Sequence, residues 1–259
     1  MTTRDAGANQ AQPSRYRRFH EKFFVEERVE TRESKTNLYR IALGLVVVGL
    51  AGFLFTLYQV TQKVGLYALD EPVRKFLFDG RSETFTVVLD ALSHFFGPAI
   101  FPFFSVLFTI AWGIKAKHIW RPLLLAIGTG LVIVSVRVIA ELVGRPRPPE
   151  AGMMGGIDSS ESFPSGHVGG ATAFILLIAY LVFSRRKAIK AAVVAYVIAA
   201  VLIFLTTVSR LYLGYHWATD GIGAIFLALA VLGGVIALDT YRTVKPAEDV
   251  PADGSPSRH

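Results

Sequence analysis

Residues 41–60 read IALGLVVVGLAGFLFTLYQV, a stretch without one charged side chain. A helix of that length is about 30 Å long, the thickness of a bilayer's hydrocarbon core. It has no polar face to turn toward water, so it is read as a transmembrane span. Five further runs have similar character: Pro98–Ile114, Pro122–Val143, His167–Phe183, Ala191–Ser209 and Trp217–Leu238. The expected fold is all-α, an integral membrane bundle of six transmembrane helices. The segment Phe85–Gly97 carries Asp90 and His94, and is expected to lie along the membrane surface or cap the bundle.

The composition agrees. Of 259 residues, 52% are hydrophobic, and the mean hydropathy of +0.45 is too high for an ordinary soluble domain. There is no cysteine, which excludes disulfides and thiolate chemistry. The first apolar run follows a long charged segment, so it is read as a retained span rather than a cleaved signal peptide.

The net charge of +7 does not point to nucleic acid, because of where the cations sit. Nine precede the first span, from Arg4 to Arg40. Lys115, Lys117 and Arg121 fall between the second and third spans, and Arg185, Arg186, Lys187 and Lys190 between the fourth and fifth. Arg242 and Lys245 follow the sixth. Six crossings put all of these on one side, and cationic loops stay cytoplasmic. Both termini are therefore expected inside a cell (cytoplasmic) membrane, with 61–84, 144–166 and 210–216 facing outward. The outward loops still hold Lys63, Arg74, Lys75, Arg81, Arg145, Arg147 and Arg210.

The chain divides into a basic cytoplasmic tail (1–37), a membrane domain (38–240) and a disordered cytoplasmic tail (241–259). Within the first tail, Tyr16–Glu33 interleaves Phe19, Phe23, Phe24 and Val25 with charges. That pattern is shared by helices lying on an inner leaflet and by solvated tails.

Three polar clusters collect at the outward ends of the spans. They are Gly144-Arg145-Pro146-Arg147-Pro148-Pro149, Pro164-Ser165-Gly166-His167, and the run Ser209–Asp220, SRLYLGYHWATD. Arg147 and Arg210 offer forked donors that match phosphate. Gly166 permits close backbone approach at a helix N-terminus, where free N–H groups favour an anion, and Ser165 adds a hydroxyl. His216 and Asp220, four residues apart, share a helical face. A carboxylate there accepts the Nδ1 proton and leaves Nε2 nucleophilic. His167 is placed to protonate a leaving oxygen. An anion cradle, an activated histidine and a second histidine suggest phosphoryl transfer through a phosphohistidine.

These clusters resemble the signature of the type 2 phosphatidic acid phosphatase superfamily: Lys-x6-Arg-Pro, Pro-Ser-Gly-His and Ser-Arg-x5-His-x3-Asp. The second and third elements match without deviation. The resemblance implies an outward-facing active site in which His216 attacks phosphorus, Asp220 orients it and His167 protonates the leaving group. Ser165, the Gly166 amide, Arg147 and Arg210 would bind phosphoryl oxygens. It also implies metal-independent chemistry without a cofactor.

The family lysine should fall at position 140, where Ala140 stands. Arg137, one turn deeper, is the candidate substitute; its alternative role is an i,i+4 pair with Glu141. The implied partners are the bilayer and a membrane lipid phosphate: undecaprenyl diphosphate, phosphatidylglycerol phosphate or phosphatidic acid. Lipid phosphotransfer and a non-catalytic lipid-binding or transport bundle are the alternatives. Arg145 is assigned to anionic headgroups, with phosphate as the other option.

Overall fold

The computed structural model of the chain describes residues 27–186 and 188–247. Of the expected amphipathic stretch, residues 16–26 lie outside these residues, as does the terminal tail beyond residue 247, while 27–33 enter β1 and the start of α1. In chain order the described residues form β1 (Arg28–Glu30), α1 (Arg32–Gln62), α2 (Asp70–Asp79), α3 (Glu83–Phe95) and α4 (Phe101–Lys115). They continue with α5 (Trp120–Val143), α6 (Gly166–Phe183), α7 (Ile189–Tyr212), α8 (Ala218–Thr243) and β2 (Val244–Pro246). The two short strands pair in parallel, Arg28 opposite Val244.

α1 begins well before the charge-free run, because Thr31 caps it by accepting a hydrogen bond from the Ser34 amide at 3.0 Å. Among the described residues five helices, α1 and α5 to α8, are long and apolar enough to cross a membrane. α4 is equally apolar but has 15 residues, about 22 Å of helix. The run expected to span from Pro98 starts its helix only at Phe101, with Pro102 in the first turn, where a missing N–H costs nothing.

α6 forms the centre. Ala171, Leu177 and Leu181 are fully buried. Gly169 lets α5 come close: a Cβ there would sit 3.2 Å from the Val136 side chain. Phe101 and Phe174 meet edge to face at 5.4 Å and fasten α4 to α6. α1 lies along α8 at backbone distance, since a Cβ on Gly49 would reach 2.4 Å from the Ala230 nitrogen. That is the small-residue contact by which helices associate in lipid, where apolar burial alone drives nothing. The outer faces stay apolar: Leu43, Val47, Leu54 and Phe55 on α1 and Val193, Val197 and Phe204 on α7 are exposed.

One end of the bundle is closed by Asp239, a fully buried carboxylate. It accepts from Trp120 Nε1 at 2.9 Å, Tyr180 Oη at 2.8 Å and Arg185 Nη2 at 2.9 Å. The first turn of α5, the last turn of α6 and α8 are thereby tied together. At the other end α3 caps the bundle: Ser209 Oγ of α7 donates to the Leu89 carbonyl at 2.9 Å. Arg81 stitches the same end, donating to the Tyr212 carbonyl at 2.9 Å and to that of Gly152 at 2.7 Å.

Candidate active site

The three polar clusters converge at the α3-capped end. α5 stops at Gly144, whose φ of 60° is a left-handed conformation natural to glycine. The chain then enters the Arg-Pro-Arg-Pro loop. α6 starts at Gly166 with Ser165 as its cap, and α8 starts at Ala218. Gly214, at φ 82°, turns the chain between α7 and α8 hard against the Gly152 carbonyl; a Cβ there would lie 2.3 Å away. This turn delivers His216.

His216 is 2% exposed. Its Nδ1 lies 2.9 Å from the Ser162 carbonyl and 3.2 Å from Asp220 Oδ2. A carbonyl only accepts, so Nδ1 carries the proton and Nε2 presents its lone pair. Arg147 Nη1 donates toward that lone pair at 3.2 Å. Burial pushes the His216 imidazole down to about 4, outweighing the opposing hydrogen bond with Asp220. The ring is a neutral base at physiological pH.

Asp220 is fully buried and accepts from four groups: His216 Nδ1, the Trp217 amide at 2.8 Å, Arg145 Nη1 at 2.6 Å and Ser162 Oγ. Arg145 therefore requires correction. It is not at the headgroup surface but 7% exposed, between Asp220 and Asp70 Oδ2, the latter at 2.6 Å. Its guanidinium also lies 5.2 Å from the Tyr67 ring and 5.5 Å from that of Trp217. A buried guanidinium needs paired carboxylates, and two surround it. Asp70 further accepts from the Thr219 amide at 2.9 Å and hydroxyl at 2.7 Å.

A cavity of about 400 Å³ opens beside His216. Arg147, Gly166 and His167 line its polar side; Phe101, Pro102, Ile133 and Val136, from α4 and α5, line the other. Gly166 and His167 are the first two residues of α6, so the N-terminus of that helix lies at the opening. Arg147 is held by the Ser160 carbonyl (2.9 Å), the Tyr215 carbonyl (2.7 Å) and Asp158 (3.0 Å). Burial pulls the Arg147 pKa below its ordinary value, opposed by Asp158 and Asp220. The Asp158 carboxyl is lowered, since Ser160 hydrogen bonds and Arg147 outweigh its own desolvation.

Two expected phosphate ligands sit back from the cavity. Ser165 is fully buried, its hydroxyl accepting from the Val168 amide at 3.4 Å as the α6 cap. Arg210 is 4% exposed, donates to Ser93 Oγ and lies 4.2 Å from the centroid of the Tyr215 ring. Its Nε has no partner among the described residues. Ala140 and Arg137 both line the cavity, and Arg137 Nε pairs with Glu141 at 2.8 Å.

Sequence reasoning missed Asp70, Asp158, Ser160 and Ser162. The loop residues carried no spacing signal, and Asp70 stands 75 positions from Arg145.

The PAP2 superfamily profile matches residues 119–243, from α5 through α8. Over these residues, just under half of its length, the chain is similar to the PAP2 superfamily. Phosphatidylglycerophosphatase B of Bacillus subtilis (strain 168) is 34% identical over 114 residues, 44% of this chain and 55% of that protein. The chain thus spans about half the length of this curated relative in the match. The crystal structure described as the first transmembrane PAP2-type phosphatidylglycerolphosphate phosphatase, from Bacillus subtilis, superposes with a TM-score of 0.66 at 26% identity. That alignment covers 75% of this chain and 96% of the solved one. With this likeness and five helices long and apolar enough to cross among the described residues, the chain is a multi-pass membrane protein.

Proposed function

We propose that this chain is a member of the PAP2 superfamily and a membrane lipid phosphatase working through a phosphohistidine. The observation that carries the reading is the juxtaposition at His216. A neutral imidazole with its tautomer fixed by Ser162 and Asp220 presents Nε2 beside Arg147. The cavity it faces has an apolar far wall between α4 and α5. A phosphate on a lipid tail fits both halves: headgroup against Arg147, chain along Phe101 and Ile133.

In the proposed reaction the substrate phosphoryl takes over the donors of Arg147 that Asp158 now occupies. The Gly166 amide and the unpartnered Arg210 Nε supply further donors, and Ser165 holds the α6 turn in place. His216 Nε2 forms a bond to phosphorus as the bond to the lipid oxygen breaks. His167 gives that oxygen its proton. Water then attacks the phosphohistidine, returning a proton to His167 and releasing phosphate. Asp220 stabilises the positive charge that the His216 ring carries between the steps. No step calls for a metal or cofactor. Phosphatidylglycerol phosphate is the first substrate to test, supported by the names of both relatives.

We further propose that α4 is the sixth span and that the site opens on the extracytoplasmic face. The alternation of cationic loops supports this. Arg81, Arg145, Arg147 and Arg210 do not weaken the argument, since each is engaged within the fold.

The test is phosphate release by protein purified in detergent, against phosphatidylglycerol phosphate, phosphatidic acid and undecaprenyl diphosphate, with chelator present. His216→Ala abolishes release, and labelled substrate leaves a trapped phosphohistidine in the native protein only. Retained hydrolysis by His216→Ala refutes the mechanism. Arg137→Ala raises KM with kcat little changed if Arg137 supplies the missing lysine's contact; unchanged constants remove it from the site.

A further inference from the structure

The end of the bundle opposite His216 holds a second cavity, of about 380 Å³. Its walls are Phe108, Ala111 and Trp112 of α4 and Val182 of α6; its charged lining is Lys115, Arg121 and Arg186. Lys115 ends α4, Arg121 is in the first turn of α5, and Arg186 follows α6. The 24 residues of α5 separate this mouth from the catalytic end by about 36 Å, the full thickness of a bilayer core.

Three cations and no carboxylate line this cavity among the described residues. Cations on three separate segments meet at one opening, above a floor of aromatic and aliphatic side chains. Cations needed only to set topology have no reason to share a cavity, since solvated loops serve that purpose. The size falls within the roughly 300–1,000 Å³ typical of small-ligand sites. Charge at the rim and apolar surface below match an amphiphile with an anionic head.

We propose that this cavity binds the headgroup of an anionic phospholipid from the leaflet opposite the catalytic pocket. Lys115, Arg121 and Arg186 hold the phosphate, and the upper acyl chain lies against Phe108 and Trp112. Basic pockets between helices at this depth suit such headgroups. The site does not rest on the phosphatase reading, because it shares no residue with the catalytic cavity.

The experiment uses the whole chain carrying Arg147→Ala, so that lipid held in the catalytic pocket is not counted. Native mass spectrometry from detergent measures retention of phosphatidylglycerol and of phosphatidylcholine with the same chains. Phosphatidylglycerol is expected to stay bound and phosphatidylcholine to be lost. Adding Lys115→Gln, Arg121→Gln and Arg186→Gln lowers phosphatidylglycerol retention on the order of tenfold or more. The single changes Lys115→Gln and Arg186→Gln, at exposed side chains, each lower it severalfold in protein with unaltered Tm. Equal retention of the two lipids overturns the proposal, as does retention that the glutamine variants leave unchanged. Displacement of phosphatidylglycerol by millimolar inorganic phosphate also overturns it, by showing a site for free anions.

Discussion

Neutrality of His216 is enforced by burial, and that has a consequence away from catalysis. The unfolded ring binds a proton near 6.5, whereas the folded ring does so at about 4. Between these values unfolding takes up a proton, so acid favours the unfolded chain. The contribution is fully present above pH 6.5 and is lost as pH falls toward 4. Thermal unfolding in detergent is expected to show the native protein losing Tm across this window more steeply than His216→Gln; parallel curves would assign the loss to other groups. Arg145 acts on the same histidine from further away. Removing it leaves Asp70 and Asp220 buried without their shared cation, a change that typically costs about 3–5 kcal/mol. Arg145→Ala should lower Tm strongly and cut kcat. Arg145→Lys should recover little of either, because one ammonium does not reproduce a fork reaching two carboxylates. That His216, Asp220, His167 and Arg147 come together at one end of the bundle was legible from spacing within short motifs. Asp70 and the burial of Arg145 were not, because the chain offers no local pattern linking residues 75 positions apart.

Helices of this chain were legible where hydrophobicity is continuous, and less so at their ends. Pro98 lies inside an apolar run, yet residues 96–100 form turns and α4 starts three residues later, at Phe101. α1 extends the other way, into charged sequence, because Thr31 caps it and its first turns need not be apolar. Contacts between helices were legible only as glycines without partners; the pairing of Gly49 with Ala230 appears once α1 is laid along α8. The same holds for Asp239, a carboxylate in an apolar run that binds three helices through Trp120, Tyr180 and Arg185. Asp239→Ala leaves a buried guanidinium, an indole and a phenol without their acceptor. A loss of about 3–5 kcal/mol is expected by analogy with other broken buried pairs. It should be read as a lower Tm, with KM per folded molecule unchanged because the proposed catalytic cavity lies at the opposite end. A raised KM would show that the two ends are coupled.

As a whole the molecule is polar at two ends and apolar around its waist, with different chemistry at each end. The proposed catalytic end links His216, Arg145, Arg147, Asp70, Asp158 and Asp220 into one network of hydrogen bonds and ion pairs. The other end carries cations around the second cavity. The orientation proposed above rests on that difference, and the absence of native cysteine makes it directly measurable. Ile157, 69% exposed in the α5–α6 loop, marks the catalytic end. Lys117, exposed between α4 and α5, marks the other. Each is replaced by cysteine in otherwise native protein expressed in intact cells and treated with a membrane-impermeant maleimide. Ile157→Cys should label at once, and Lys117→Cys only after the membrane is permeabilised. The positive-inside argument requires both results, because an odd number of crossings between the two sites keeps them on opposite faces. Between them lies α5 alone, long enough to cross. The reverse pattern would turn the catalytic pocket inward and place the lipid it meets in the cytoplasmic leaflet. Labelling of both positions from outside would instead deny that α5 crosses, and with it the bundle's assignment as a membrane-spanning fold.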